Sequence, residues 1–132
     1  MQAIQTLKRD IKNHDDIVLL IDTFYDKVQS NETIGFIFNN VVHVSWPHHL
    51  PKMYSFWGSL LLGEHSYTGN PMARHIELGK VTAMTQTQFT AWLNLFTATV
   101  DELFTGEKAE EAKTRAANIA GLMLHKIQQS SN

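Results

Sequence analysis

The chain has no cysteine. That excludes disulfide bonds, thiolate nucleophiles, thiolate metal sites and covalent cofactor attachment through a Cys-x-x-Cys-His motif. It also fits a reducing, cytoplasmic setting. Basic excess is absent: charged residues make up 18% of the sequence and the formal net charge is −2. A nucleic-acid binder is usually basic, and here Arg and Lys form no patch. No stretch approaches the ~18 consecutive apolar residues of a membrane span. The opening MQAIQTLKRD lacks the apolar centre of a signal peptide. Several catalytic signatures are missing as well. There is no His-Glu-x-x-His, no Gly-x-Gly-x-x-Gly, no phosphate loop and no serine elbow. No glutamate has a histidine three residues later, so a di-iron carboxylate bundle lacks its signature.

What is present is enough for one domain over residues 1–132, with 43% hydrophobic residues to build a core. Seven histidines and three tryptophans stand out in so short a chain and direct attention to metal or cofactor chemistry. The apolar pattern predicts an all-α architecture. Residues 1–12 read as a short helix. Asn13 to Asp16 supply a helix start, and Ile17, Leu20, Ile21, Phe24, Tyr25 and Val28 then share one face up to about Ser30. Glu32 to Asn40 reads as tight helical turns, and Val41 to Pro47 as loop. His49, Met53, Trp57 and Leu60 form the stripe of a second long helix, widened by Phe56 and Leu61. Because Pro51 is tolerated only near a helix start, that helix should begin at about His48 or His49. Thr85 and Gln88 make a capping box for a third helix with the stripe Phe89, Trp92, Phe96, Val100 and Leu103, stopped by Gly106. A last helix follows from about Glu107 to Gln129, with Ala112, Ala116, Ile119, Met123 and Ile127 inward.

The stretch from Gly63 to Gly79 has a different character. A polar turn leads to Pro71, and Pro71 to Leu78 closed by Gly79 reads as a short helix. It carries His75 among Met72, Ile76 and Leu78. Elsewhere Tyr25, His49 and Trp92 occupy inward stripes of three different helices, each with a donor that is costly to bury alone. One imidazole, apolar walls and a few donors opposite suit a haem that takes a small gas molecule. The same residues, taken singly, also read as core aromatics and an ordinary helical histidine. His14, His43, His65 and His125 read as surface histidines.

FYDKV at 24–28, IFNN at 37–40, FWGSLLLGE at 56–64, YTGNPMARHIEL at 67–78 and QFTAWLNLF at 88–96 together resemble the truncated haemoglobins, the group III class in particular. The resemblance implies a shortened globin fold, a two-over-two helical sandwich around non-covalent haem b. It implies that His75 is the axial iron ligand and that Tyr25 and Trp92 donate hydrogen bonds to the bound ligand, with His49 as a distal gate. Phe24 and Phe38 are then haem contacts, and Met53, Phe56, Trp57, Met72 and Ile76 line the pocket. Lys52 and Arg74 become partners for the propionates. The chain departs from the family pattern where Pro47 and Pro51 bracket His48 and His49. A shifted helix start would turn His48, or neither ring, toward the pocket.

Three functions follow as expectations. The first is reversible binding of O2 and related diatomic ligands, NO, CO and cyanide among them. The second is haem enzymology, nitric oxide dioxygenase or peroxidase-like, with an unidentified reductase. An imidazole ligand without the thiolate push and the lack of a visible reductase domain weigh against it. The third is a cofactor-free helical binding module. Nucleic acid and membrane are not expected partners, and a monomer or weak oligomer is expected.

Overall fold

The computed structural model describes residues 8–35, 46–64 and 86–130, apart from the side chains at positions 46, 48, 49 and 127–130. Four helices organise them: α1 (His14–Ser30), α2 (Trp46–Leu62), α3 (Gln86–Leu103) and α4 (Glu107–Ser130). No strand occurs among the described residues. α1 packs against α2 and α3, and α3 packs against α4.

The start of α1 follows from its sequence. The Asn13 side chain accepts from the Asp16 backbone N–H at 3.1 Å, and the Asp16 carboxylate accepts from the Asn13 N–H at 3.2 Å, a reciprocal capping box. Ile17, Leu20, Ile21, Phe24, Tyr25 and Val28 are all buried, as the helical spacing predicts. After Ser30 the Asn31 side chain accepts from the Thr33 and Ile34 N–H groups at 2.8 and 3.1 Å, which tightens the turn over 32–34. Residues 36–45, Phe38 included, lie outside the described residues, as does the predicted loop up to position 45; Trp46 and Pro47, expected in that loop, are helical.

Two elements differ from the sequence reading. Residues 8–12 are not helical. Their polar groups serve distant partners instead. The Asp10 carboxylate accepts from the backbone N–H groups of Lys108 and Ala109, both at 2.8 Å, and from that of Ile11 at 2.9 Å. It thus caps the start of α4 from the far end of the chain. The Arg9 carbonyl accepts from the Thr105 N–H at 3.1 Å, and Ile11 is buried. A helix here would withdraw these groups from the α3–α4 corner. Gly106 makes the approach possible. It has φ of 136°, and a Cβ there would lie 2.5 Å from the Asp10 carboxyl carbon.

The second difference is the start of α2, at Trp46 rather than His48 or His49. Pro51 stands inside the helix and removes the one N–H that would bond the Pro47 carbonyl. Pro47 and Pro51 are both exposed, so water can solvate that carbonyl. The buried anchors Trp57 and Leu61 further along hold the helix to the core. At its other end Gly63, with φ of 72°, turns the chain out of α2, and the Glu64 N–H donates to the Gly58 carbonyl at 3.3 Å. α3 ends before Gly106 as predicted, while Thr85 lies outside the described residues. α4 turns a face of small residues inward, Ala109, Ala112, Ala116 and Ala120 with Met123. Ile127 is outside the described side chains.

Phe96 on α3 is fully buried where three helices meet. Trp57 from α2 stacks on it at 4.7 Å between ring centroids, Trp92 from α3 at 5.8 Å, and Phe24 from α1 meets it edge-on at 5.2 Å. Phe96→Ala should therefore cost ~3–5 kcal/mol, read as a lower midpoint in urea unfolding.

Two carboxylates tie the N-terminal part of the chain down electrostatically. Burial works against ionisation of Asp16, but the Arg9 guanidinium and the N–H groups of Lys12 and Asn13 outweigh it and lower its pKa. Burial likewise opposes ionisation of Asp10, and the N–H groups of Lys108, Ile11 and Ala109 with the Lys108 charge lower its pKa. Lowered carboxylate pKa values contribute stability that is present above the unfolded-state value, about 3.9. That stability is lost as pH falls through the lower folded-state values. Asp10→Ala should remove ~1 kcal/mol at neutral pH. Acid titration should then show a smaller stability loss below about pH 4 in Asp10→Ala than in the unsubstituted protein.

Candidate functional site

The face of α1 that carries Phe24 and Tyr25 brings two of the predicted ligand-site residues to one place. The Tyr25 ring packs edge-on against Phe24 at 4.9 Å, and the Trp92 ring meets the same Phe24 edge-on at 5.8 Å. Tyr25 is 6% exposed, whereas Trp92 is partly buried. Burial raises the Tyr25 pKa far above its ordinary value. The phenol therefore keeps its proton at any physiological pH and can act as a donor. Phe24 is thus the common support of both aromatic groups, and their consecutive and helical spacings are what placed them there.

From α2, Trp57 is 3% exposed and stacks on Phe96, and Phe56 meets Trp57 edge-on at 5.5 Å. Met53 and Phe56 are partly buried against the core, while Lys52 is exposed on the helix surface. His49 is carried by α2, but its ring lies outside the described residues. His75, Phe38, Met72, Arg74 and Ile76 also lie outside them. Among the described residues, no three His, Asp or Glu side chains are grouped as a bare metal-ion site needs.

Two polar contacts of α1, one with α2 and one with the turn after it, were not singled out by the sequence pattern. The Tyr54 hydroxyl donates to the Asp22 carboxylate. Partial burial and that carboxylate together raise the Tyr54 pKa to about 12. Next to this pair, the His14 ring stands edge-on to Tyr54 at 6.3 Å and its Nδ1 lies 3.2 Å from the Glu64 carboxylate. Gly58 makes room for that carboxylate: a Cβ would fall 2.1 Å from Glu64 Oε1. The glycine in FWGSLLLGE was visible as a motif residue, but its purpose depends on where Glu64 folds back. Tyr54 lies three residues before Trp57, a helical neighbour, yet nothing in the local sequence connects it with residue 22.

The chemistry of these side chains suits a flat apolar cofactor such as haem. α2 and α3 supply Leu50, Met53, Phe56, Trp92, Leu93 and Leu95 as partly buried apolar side chains packed on the same core cluster that holds the buried Tyr25 phenol of α1. A porphyrin needs apolar walls with few, directed polar groups.

Comparison with known proteins agrees with this fold. The model of the bacterial-like globin family matches residues 8–127. A group 3 truncated haemoglobin of Campylobacter jejuni is 33% identical over 117 residues, covering 86% of this chain and 90% of the relative. A crystal structure of group III truncated haemoglobin from Campylobacter jejuni superposes with a TM-score of 0.81 at 31% identity, covering 92% of this chain and 95% of that one. The 2/2 haemoglobin of Synechococcus sp. PCC 7002, solved in the cyanomet state with covalently attached haem, shares the fold with a TM-score of 0.71 at 19% identity, covering 87% and 91% of the two chains. The α1–α4 arrangement is accordingly the two-over-two helical sandwich, and the family is one of haem-dependent ligand binding. By these matches the chain belongs to the bacterial-like globins, among the truncated haemoglobins of the group III kind.

Proposed function

We propose that this protein holds haem b non-covalently through His75 and binds O2 and related diatomic ligands, NO, CO and cyanide, reversibly on the opposite side. When bound, the haem supplies the iron that takes the ligand. The chain's own residues decide how long the ligand stays. Tyr25 carries the reading: its phenol is buried, keeps its proton and packs on the same Phe24 ring as Trp92. A donor fixed in an apolar surrounding strengthens as charge develops on the ligand, because no water competes with it. Trp92 can supply a second donor from its indole N–H. His49 is assigned as the gate.

The remaining assignments form the walls. Phe24 and Phe38 contact the haem, while Met53, Phe56, Trp57, Met72 and Ile76 exclude water from it. Lys52 and Arg74 pair with the propionates. Exposure of Lys52 agrees with a partner at the solvent edge. We place the protein in the cytoplasm as a monomer or weak oligomer, served by a reductase when the iron is oxidised.

An absorption spectrum tests the reading directly. The purified protein, or the protein after haemin addition, should show a Soret band, and His75→Ala should lose it or change its ligation. A protein that stays colourless with haemin would instead be a cofactor-free bundle. Tyr25→Phe keeps the ring packing but removes the hydroxyl. It should speed O2 release roughly tenfold, the worth of one directed hydrogen bond of ~1.4 kcal/mol. An unchanged off-rate in stopped-flow measurements would remove Tyr25 from ligand retention.

A further inference from the structure

The Tyr54–Asp22 pair has no part in ligand retention, yet its chemistry is specific. A phenol loses an electron far more readily when its proton has somewhere to go. Tyr54 donates its hydroxyl proton to a carboxylate on the neighbouring helix, so an acceptor is already in place. Burial and Asp22 make simple deprotonation of Tyr54 unfavourable, with its pKa at about 12. Loss of the proton together with an electron is therefore the open route.

An aromatic path leads inward from this pair. Tyr54 precedes the buried Trp57 by three residues on α2, so an electron has about one helical turn to cross between the two side chains. Trp57 stacks on Phe96 at 4.7 Å with the planes 21° apart, and Phe96 stacks on Trp92 at 5.8 Å with the planes 11° apart. Trp92 is one of the two residues assigned to the ligand side of the haem. The near-parallel stack thus runs from the proposed pocket across the core to α2.

We propose that Tyr54, with Asp22 as its proton acceptor, is a redox-active residue through which Trp92, Phe96 and Trp57 pass oxidising equivalents from the haem pocket to one-electron reductants at the α1–α2 surface. The proposal rests on the haem reading above for its inner end. The oxidant is a hydroperoxide, which takes two electrons and two protons as its O–O bond breaks, giving water and an alcohol, or two waters from hydrogen peroxide. For each electron drawn from Tyr54, its O–H bond breaks, the proton moves to the Asp22 carboxylate and the electron moves inward along the rings. A neutral phenoxyl is left at Tyr54. A surface one-electron donor, a phenol or an ene-diol, returns the electron and releases its own proton to water, and Asp22 returns its proton to the Tyr54 oxygen. Two such donors thus supply, through water, the two protons that the hydroperoxide takes up. The second electron follows the same course. Tyr54 is partly buried and flanked by the half-exposed His14 ring, so a small reductant can approach without entering the core.

Two measurements on the full-length protein test this. First, the haem-loaded protein is mixed with hydrogen peroxide, freeze-quenched and read by electron paramagnetic resonance. A tyrosyl signal should appear, persist in Tyr67→Phe, disappear in Tyr54→Phe and lose most of its intensity in Trp57→Phe. Second, a light-generated ruthenium(III) tris-bipyridine complex oxidises the protein from outside. The rate of Tyr54 oxidation should fall on the order of a hundredfold in Asp22→Asn and recover in Asp22→Glu. A tyrosyl signal unchanged in Tyr54→Phe, or an oxidation rate indifferent to Asp22→Asn, overturns the proposal. Failure of the haem reading shows differently. A protein without a Soret band that still oxidises at Tyr54 under light would overturn the inner end of the relay along with the proposed function. A protein with a Soret band and no Tyr54 radical overturns this proposal alone.

Discussion

The packing around Phe96 is the contact on which the described structure depends. One ring from α3 is covered by Trp57 of α2 and Trp92 of its own helix and is met edge-on by Phe24 of α1. Stacked and edge-to-face aromatic pairs add directional attraction to the area they bury. They fix rotation as well as proximity. A helix that slid or turned by one residue would lose its ring contact, so this junction sets the register in which α1, α2 and α3 meet. Tyr25 inherits its place from that register, because it follows Phe24 directly.

Chemistry and stability thus share side chains here. Phe24 supports Tyr25 and Trp92, the proposed donors, and also closes the core, and Trp57 is at once core and proposed pocket wall. A small globin has little interior to spare, and one set of rings does both tasks. The glycine positions follow the same economy. Gly58 leaves space for the Glu64 carboxylate, and Gly106 leaves space for that of Asp10. Each space is filled by a carboxylate. Each lets a charged group reach its partner.

Much of this was legible from periodicity. The α1 stripe, the Asn13–Asp16 cap, the stop at Gly106 and the inward Ala112, Ala116 and Met123 of α4 all depend on residues within a few positions of one another. The departures came from distant partners. Residues 8–12 read as helix because their local pattern allows it, but the α4 N–H groups that claim Asp10 are about a hundred positions away. Pro51 pointed to a late helix start because proline is unfavourable in isolation, and the weight of Trp57 and Leu61 against the core is not a local quantity. Tyr54 lay off the stripe that was followed along α2, and its partnership with Asp22 appears only when α1 and α2 are side by side. The resemblance added the family and the roles it implies. The role of His75 remains the resemblance's contribution, since that residue lies outside the described part of the chain.

The cap that Asp10 places on α4 joins the first described residues to the start of the last helix, 98 and 99 positions on. Closing so long a loop carries an entropy cost that grows only logarithmically with length, but it has to be met before the contact can form. The first turn of α4 consequently has its backbone donors satisfied only after the chain has largely collapsed. The helix can propagate from its middle earlier, where the alanines lie. Its beginning is then ordered late in folding, and among the described residues the α3–α4 corner should open once the Asp10 contact is lost.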